Sequence, residues 1–205
     1  MTSEHYFSAQ PSAPEKRRTI IVKLGGAIRK VESSGGIFSP DRIDKGTAVL
    51  LGSAPAPSAT GNLLDIGCGW GPIALTMALA SPEATVYAVD VNERSVALTR
   101  DNATSLGLGN VKASLPETVD PQLMFDTIWS NPPIRIGKEA LHELLLLWLP
   151  RLAPGGNAWL VVQKNLGADS LQKWIGTQMP DTWTVERTST DNAFRTIRIH
   201  RPLEA

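Results

Sequence analysis

The sequence predicts an α/β fold, a mostly parallel sheet with helices on both faces. Three observations predict it. From Asn62 onward, short β-rich runs alternate with helical stretches, the pattern of a sheet covered by its own crossovers. The run Leu63-Leu64-Asp65-Ile66 ends in Gly67-Cys68-Gly69-Trp70-Gly71 and continues as Pro72-Ile73-Ala74-Leu75-Thr76-Met77-Ala78-Leu79-Ala80, which reads as strand, tight glycine loop and helix. Pro72 suits a first helical turn, where no intrahelical acceptor is available to an N–H. The chain has 205 residues, of which 42% are hydrophobic, enough for one sizeable core.

Taken in order, His5-Tyr6-Phe7 leads through Pro- and Ser-containing sequence to Lys16-Arg17-Arg18. Three adjacent cations suit either a phosphate contact or a solvated surface. Thr19–Lys23 and Ala27–Val31 flank Leu24-Gly25-Gly26 and predict a small β-hairpin. Gly36-Ile37-Phe38-Ser39 and Asp44-Lys45-Gly46 lead to an expected short strand, Ala48–Leu51, and Pro55–Ser58 reads as a linker. The expected organisation is therefore an extension over residues 1–57, whose hairpin covers the ligand site, and a core domain over 58–205.

The glycine loop sits where ligands bind in open α/β sheets, at the carboxyl end of a strand. It does not match the dinucleotide pattern G-x-G-x-x-G, because Pro72 takes the third glycine's place. No Gly-Lys-Ser/Thr follows, so it is not a P-loop. Taken alone, a plain tight turn is the alternative reading of the glycines. The next strand, Thr85–Val89, ends in Asp90, 25 positions after Asp65, near the spacing of an acid that accepts from ribose hydroxyls. Capping the helix that starts near Glu93 is the alternative role. A later strand, Phe125–Ser130, ends in Asn131-Pro132-Pro133-Ile134. Proline removes N–H donors, so the turn is expected to present unpaired backbone carbonyls beside the Asn131 amide oxygen. Such oxygens receive the hydrogens of a planar NH₂ group; a plain turn is the other reading.

Other elements follow the same alternation. Glu93 to Leu106 is a helix stopped by Gly107 and Gly109, and Asn110–Ser114 is the third strand of the core. Lys138–Leu149 is a Leu-rich helix, and Pro154-Gly155-Gly156 turns into strand Ala158–Val162. A helix over Ser170–Gln178 and strands Trp183–Arg187 and Phe194–Ile199 complete the chain.

Composition excludes several functions. Twenty basic and twenty acidic residues balance, which argues against a broad electrostatic grip on nucleic acid and leaves room for a local patch. His5, His142 and His200 have no metal-site spacing, so no metal is expected. The one cysteine, Cys68, fits a reducing cytoplasm, and it sits inside the glycine loop as a space-filler. No signal-peptide pattern and no membrane-length apolar run is seen, so the expected location is the cytoplasm.

The pattern D-x-G-x-G-x-G with Asn-Pro-Pro resembles the class I S-adenosylmethionine-dependent methyltransferases that act on amino groups. His5-Tyr6-Phe7, Gly36–Ser39, Asp44 with Gly46, Pro154-Gly155-Gly156 and Leu166-Gly167-Ala168 narrow the resemblance to the methyltransferase small domain family, which includes guanine-N2 methyltransferases of ribosomal RNA. The resemblance implies a Rossmann-like class I methyltransferase fold with a seven-stranded sheet. It implies S-adenosylmethionine as cofactor, held by Asp65, Gly67, Gly69, Gly71, Asp90, Val91, Ser114 and Asn131. It implies that Asn131 and the Pro132 carbonyl carry catalysis, and that Pro133, Ile134, Arg135 and Phe194 meet the substrate, ribosomal RNA or a ribosomal subunit. Arg135, Lys138, Lys164 and Arg195 are candidate contacts to an RNA backbone. Glutamine-N5 or adenine-N6 methylation and a non-catalytic, RNA-binding copy of the fold are the alternatives. Two positions depart from the family. Ile134 stands where an aromatic residue is usual, which leaves Phe194, Tyr6 or Phe7 to supply a ring. No acid directly follows the third core strand, which leaves the Ser114 region or Glu117 to meet the adenine.

Overall fold

The computed structural model describes residues 16–191 and 193–203, so His5, Tyr6 and Phe7 lie outside the described residues. A hairpin of β1 (Arg17–Leu24) and β2 (Ala27–Ser34) comes first. Its two-residue turn has positive φ at both Gly25 (55°) and Gly26 (80°), the turn geometry whose twist matches paired strands. Ile20, Val22, Leu24 and Val31 point inward and pack with Trp70, Leu75, Leu98 and Ala103. Burying each contributes roughly 1.5–3 kcal/mol, whereas the exposed pairs Arg17–Asp101 and Arg18–Asp41 contribute about 1 kcal/mol at most. Apolar contact therefore holds the hairpin down.

The segment Ala48–Leu51 is not a strand. It lies inside helix α1 (Lys45–Ser53). Four apolar residues do not distinguish strand from helix, and the deciding feature is upstream: the Asp44 side chain accepts from Gly46 N and caps the helix. Gly46, Thr47 and Leu50 form its buried face.

The core is a seven-stranded sheet of order β5-β4-β3-β6-β7-β9-β8. Its strands are β3 (Thr60–Ile66), β4 (Glu83–Val89), β5 (Val111–Ser114), β6 (Phe125–Ser130), β7 (Leu152–Gln163), β8 (Thr184–Asp191) and β9 (Phe194–His200). Strands β3 to β7 pair in parallel, while β9 runs antiparallel to both neighbours. Helices α2 (Pro72–Ala80) and α3 (Glu93–Ser105) join α1 on one face, and α4 (Lys138–Trp148) and α5 (Ala168–Gln178) cover the other. β7 begins earlier than expected. Pro154-Gly155-Gly156 belongs to it, across a register shift between Phe125 and Thr127. A Cβ on Gly156 would lie 2.8 Å from the Ala153 carbonyl and 3.0 Å from that of Phe125, so only glycine lets the strand bend there. Among the described residues, no helix is long and apolar enough to cross a membrane.

Candidate functional site

Register aligns four strand ends along one sheet edge. Ile66 pairs with both Val89 and Ser130, and Val89 pairs with Ser114. Each candidate residue follows directly: Gly67 after β3, Asp90 after β4, Asn131 after β6, with Ser114 closing β5. Parallel strands place these residues together although 65 positions separate Asp65 from Ser130.

The glycine loop is held from below. Gly67 N and Cys68 N both donate to the Val89 carbonyl, at 2.8 and 3.0 Å. Gly67 and Gly69 have φ of 79° and 58°, a region that side chains disfavour. A Cβ on Gly67 would meet nothing within 4 Å, and one on Gly69 only the Phe38 carbonyl at 4.0 Å, so the upper surface of the loop is open. Asp65 is fully buried and does not line that opening. Its Oδ2 accepts from Ala74 N at 3.0 Å, serving the start of α2, whose own cap residue Gly71 offers no side chain. Burial without a counter-ion pushes the Asp65 carboxyl up to about 8, against the Ala74 hydrogen bond and with a smaller push from Asp90. Burial likewise pushes the Cys68 thiol well up, so it is not an activated nucleophile.

Asp90 is partly exposed. Its Oδ2 accepts from Gly69 N at 3.0 Å and its Oδ1 from Asn92 N at 2.9 Å. The α3 cap is Asn92, which accepts from Arg94 N, so Asp90 braces the glycine loop rather than capping the helix. Burial raises its pKa against these hydrogen bonds. Val91 is 48% exposed beside it, and Ser114 is half-buried.

A small cleft is lined by Gly67, Cys68, Gly69, Trp70, Pro72 and Ile73 of the loop and start of α2, and by Phe38, Ser39, Asp44, Thr47 and Asn131. The hairpin itself packs on α2 and α3; residues after it border the cleft. Loop 35–39 is tied down by Arg94 Nη1 on the Gly35 carbonyl, Asn92 Nδ2 on that of Gly36 and Trp70 Nε1 on that of Ser39.

Asn131 borders this cleft with its amide direction defined. Nδ2 donates to Asp44 Oδ2 at 3.0 Å and to Thr47 Oγ1 at 3.1 Å. Among the described residues no donor reaches Oδ1. Asp44 Oδ2 also accepts from Gly46 N at 2.8 Å. A Cβ on Gly46 would stand 3.1 Å from both Asp44 Oδ2 and Phe194 Cε1 and 3.2 Å from Asn131 Nδ2, so the contact exists because residue 46 has no side chain.

The Pro132 carbonyl is not unpaired, contrary to expectation. It accepts from Ile134 N at 2.8 Å across Pro133, whose φ of −74° and ψ of 75° form an inverse γ-turn. One lone pair of that oxygen remains. Ile134 packs half-buried against the core under α4 and α5, and Phe194 packs on the α1 side. Arg135, Lys138 and Lys164 are exposed. Arg195 is 7% exposed and so is not presented to a polymer. Asp44 and Thr47 were missed as site residues by reasoning from sequence.

The family model of the methyltransferase small domain matches residues 29–191. The chain belongs to that family. It is an S-adenosylmethionine-dependent methyltransferase. It is 38% identical over 171 residues, 82% of this chain and 85% of the relative, to the uncharacterised protein YbxB of Bacillus subtilis. It is 30% identical over 147 residues to ribosomal RNA small subunit methyltransferase C of Shewanella loihica, covering 69% of this chain and 42% of that one; the chain thus spans less than half the length of that enzyme. Among solved structures, a Thermus thermophilus 16S rRNA guanine-N2 methyltransferase in complex with AdoMet and guanosine superposes with a TM-score of 0.78 at 21% identity, over 93% of this chain and 52% of that one. At that identity the likeness establishes the fold. The open surface over Gly67 and Gly69 fits a cofactor that approaches the backbone closely.

Proposed function

We propose that this methyltransferase modifies an exocyclic amine of RNA, with guanine N2 of ribosomal RNA as the target. One observation carries the reading: the Asn131 amide and the Gly67–Gly69 backbone line the same cleft, with Asn131 Oδ1 unclaimed by any described donor. The names of the ribosomal RNA methyltransferase relatives support RNA as substrate. The distribution of charge supports a polyanion: on a chain with no net charge, β1 and β2 carry Arg17, Arg18, Lys23, Arg29 and Lys30 against Glu32, with Arg17 and Arg18 paired to Asp101 and Asp41 of neighbouring segments.

In this mechanism S-adenosylmethionine supplies an electrophilic methyl group and its own leaving group. Gly67 and Gly69 would admit the methionine end, while Asp65 keeps their loop in shape; Gly71, expected beside them, instead faces Thr99 and Leu75, which a Cβ there would meet at 3.1 and 3.2 Å, and so lets the loop pack on α3. Asp90 accepts from the ribose hydroxyls, Val91 packs on the adenine, and the Ser114 end of β5 borders it. An exocyclic amine is a poor nucleophile because its lone pair is delocalised into the ring. Asn131 Oδ1 and the remaining lone pair of the Pro132 carbonyl accept its two hydrogens, which draws the nitrogen toward tetrahedral geometry and aims its lone pair into the cleft. Alignment is then the main source of rate, and the proton leaves after transfer. Pro133 and Ile134 border the base, the Phe194 ring supplies apolar surface on the other side, and Arg135 meets the backbone. A target within a duplex has to be extruded to reach Asn131.

Labelled S-adenosylmethionine offered in parallel to naked ribosomal RNA, assembled subunits and a glutamine-bearing release-factor protein tests the proposal. Label on either RNA sample supports it, and label only on the protein assigns the same site to glutamine-N5. Calorimetry with the cofactor accompanies the assay; no binding at millimolar concentration points to a non-catalytic copy.

A further inference from the structure

The direction of the Asn131 amide is set from outside its own strand. An amide fits its slot two ways round, and only one of them presents an acceptor to an incoming amine. Here the choice is made by Asp44 Oδ2, 3.0 Å from Nδ2. An ionised carboxylate only accepts, so a flipped amide would set oxygen against oxygen. Thr47 Oγ1, at 3.1 Å, takes the second N–H. Both donors of the side chain are thereby used within the protein.

We propose that Asp44 is a positioning residue that locks the Asn131 amide with its oxygen toward the cleft, and so restricts the methyl acceptor to nitrogens that bring hydrogens of their own. A ring nitrogen with a bare lone pair, which would need a donor from Asn131, finds none. The inference rests on the amine-transfer reading above and adds to it the residue that enforces the choice. α1 makes the lock rigid. Asp44 is its cap, with the same Oδ2 accepting from Gly46 N, and Thr47 lies on its buried face. Gly46 leaves the gap through which Nδ2 reaches them.

Capping and locking separate by substitution. Serine caps a helix as well as aspartate does, but its side chain is too short to reach Asn131. Asparagine keeps an acceptor at the same reach. The expected result for Asp44→Ser is a turnover at least tenfold lower, with KM for S-adenosylmethionine and melting temperature near those of the unsubstituted protein. Asp44→Asn is expected to keep turnover within a few-fold. In a double-mutant cycle, adding Asp44→Ser to Asn131→Ala is expected to cost nothing further, because the group it acts through is gone.

A second readout needs no substrate. The Asn131 side-chain NH₂ protons, assigned by their loss in Asn131→Ala, are expected to exchange with solvent at least tenfold faster in Asp44→Ser. Multiplicative losses in the cycle, or unchanged turnover and exchange in Asp44→Ser, would overturn the lock while leaving methyl transfer to amines intact. Exchange that responds as expected in a protein that transfers methyl to no amine would overturn the functional reading instead.

Discussion

The two banks of the cleft, which the proposed function assigns to methyl donor and methyl acceptor, are built by opposite means. The donor bank, Asp65 to Gly71 with Asp90, is local in sequence and held by backbone: Gly67 and Cys68 donate to Val89, and Gly69 to Asp90. Asp65 is buried and Asp90 partly so, and burial raises the pKa of both above the ordinary carboxylate value. The acceptor bank is one side chain, Asn131, held across 87 positions by Asp44. A loop fastened at several backbone N–H groups spreads its support over several acceptors. A bank made of one amide depends on the residue that orients it.

Substitution should separate the banks. The largest effect is expected for Asn131→Ala, where loss of the acceptor lowers turnover by roughly 10²–10³-fold, the scale for removing one group that stabilises a transition state. Calorimetry should find cofactor affinity nearly unchanged. Asp90→Ala should do the reverse. Removing hydrogen bonds to a charged group costs about 1.5–3 kcal/mol, so cofactor affinity should fall roughly 10–150-fold, while turnover at saturating cofactor falls less. Equal loss of both quantities in either variant would erase the distinction between the banks.

The donor bank should carry a pH signature in stability. Asp65 binds its proton more tightly folded than unfolded, with a pKa of about 8 against the ordinary 3.8. Its contribution is therefore fully present below the ordinary carboxylate range and is lost as pH rises through about 8. The melting temperature should decline from pH 5 to 9, and Asp65→Asn should flatten that decline. A profile equally steep in the variant would remove Asp65 as its source. The smallest effect belongs far from both banks. Lys23 and Lys30 share the outer face of the hairpin with Ile21 and Ile28, which are 67% and 71% exposed. Replacing both lysines by glutamine should weaken RNA binding and reduce its salt slope by about two units, with cofactor affinity unaltered. An unchanged slope would place the RNA footprint elsewhere.

What could be read from the sequence follows the same division. Strand, glycine loop and Asp90 are signalled by residues close together, and the alternation of elements suffices for the sheet. Asn-Pro-Pro marks a turn, but not that Ile134 N occupies the Pro132 carbonyl, because a γ-turn depends on the backbone around Pro133. Ala48–Leu51 misleads because four apolar residues suit strand and helix alike. Asp44 directly before Lys45 carried the missed signal, a side chain able to cap a helix that begins there. Nothing local links Asp44 to Asn131; the parallel sheet and the docking of α1 on it create that contact.

The central claim is that one cleft brings a methyl donor to a hydrogen-bearing amine accepted by Asn131. Its most direct test is to digest RNA methylated by the protein to nucleosides and locate the new methyl group by mass spectrometry. The account predicts an exocyclic N-methyl nucleoside that is abolished or nearly so in Asn131→Ala. A methyl group on a ring nitrogen, a carbon or a ribose oxygen, or an undiminished yield from the variant, would contradict it.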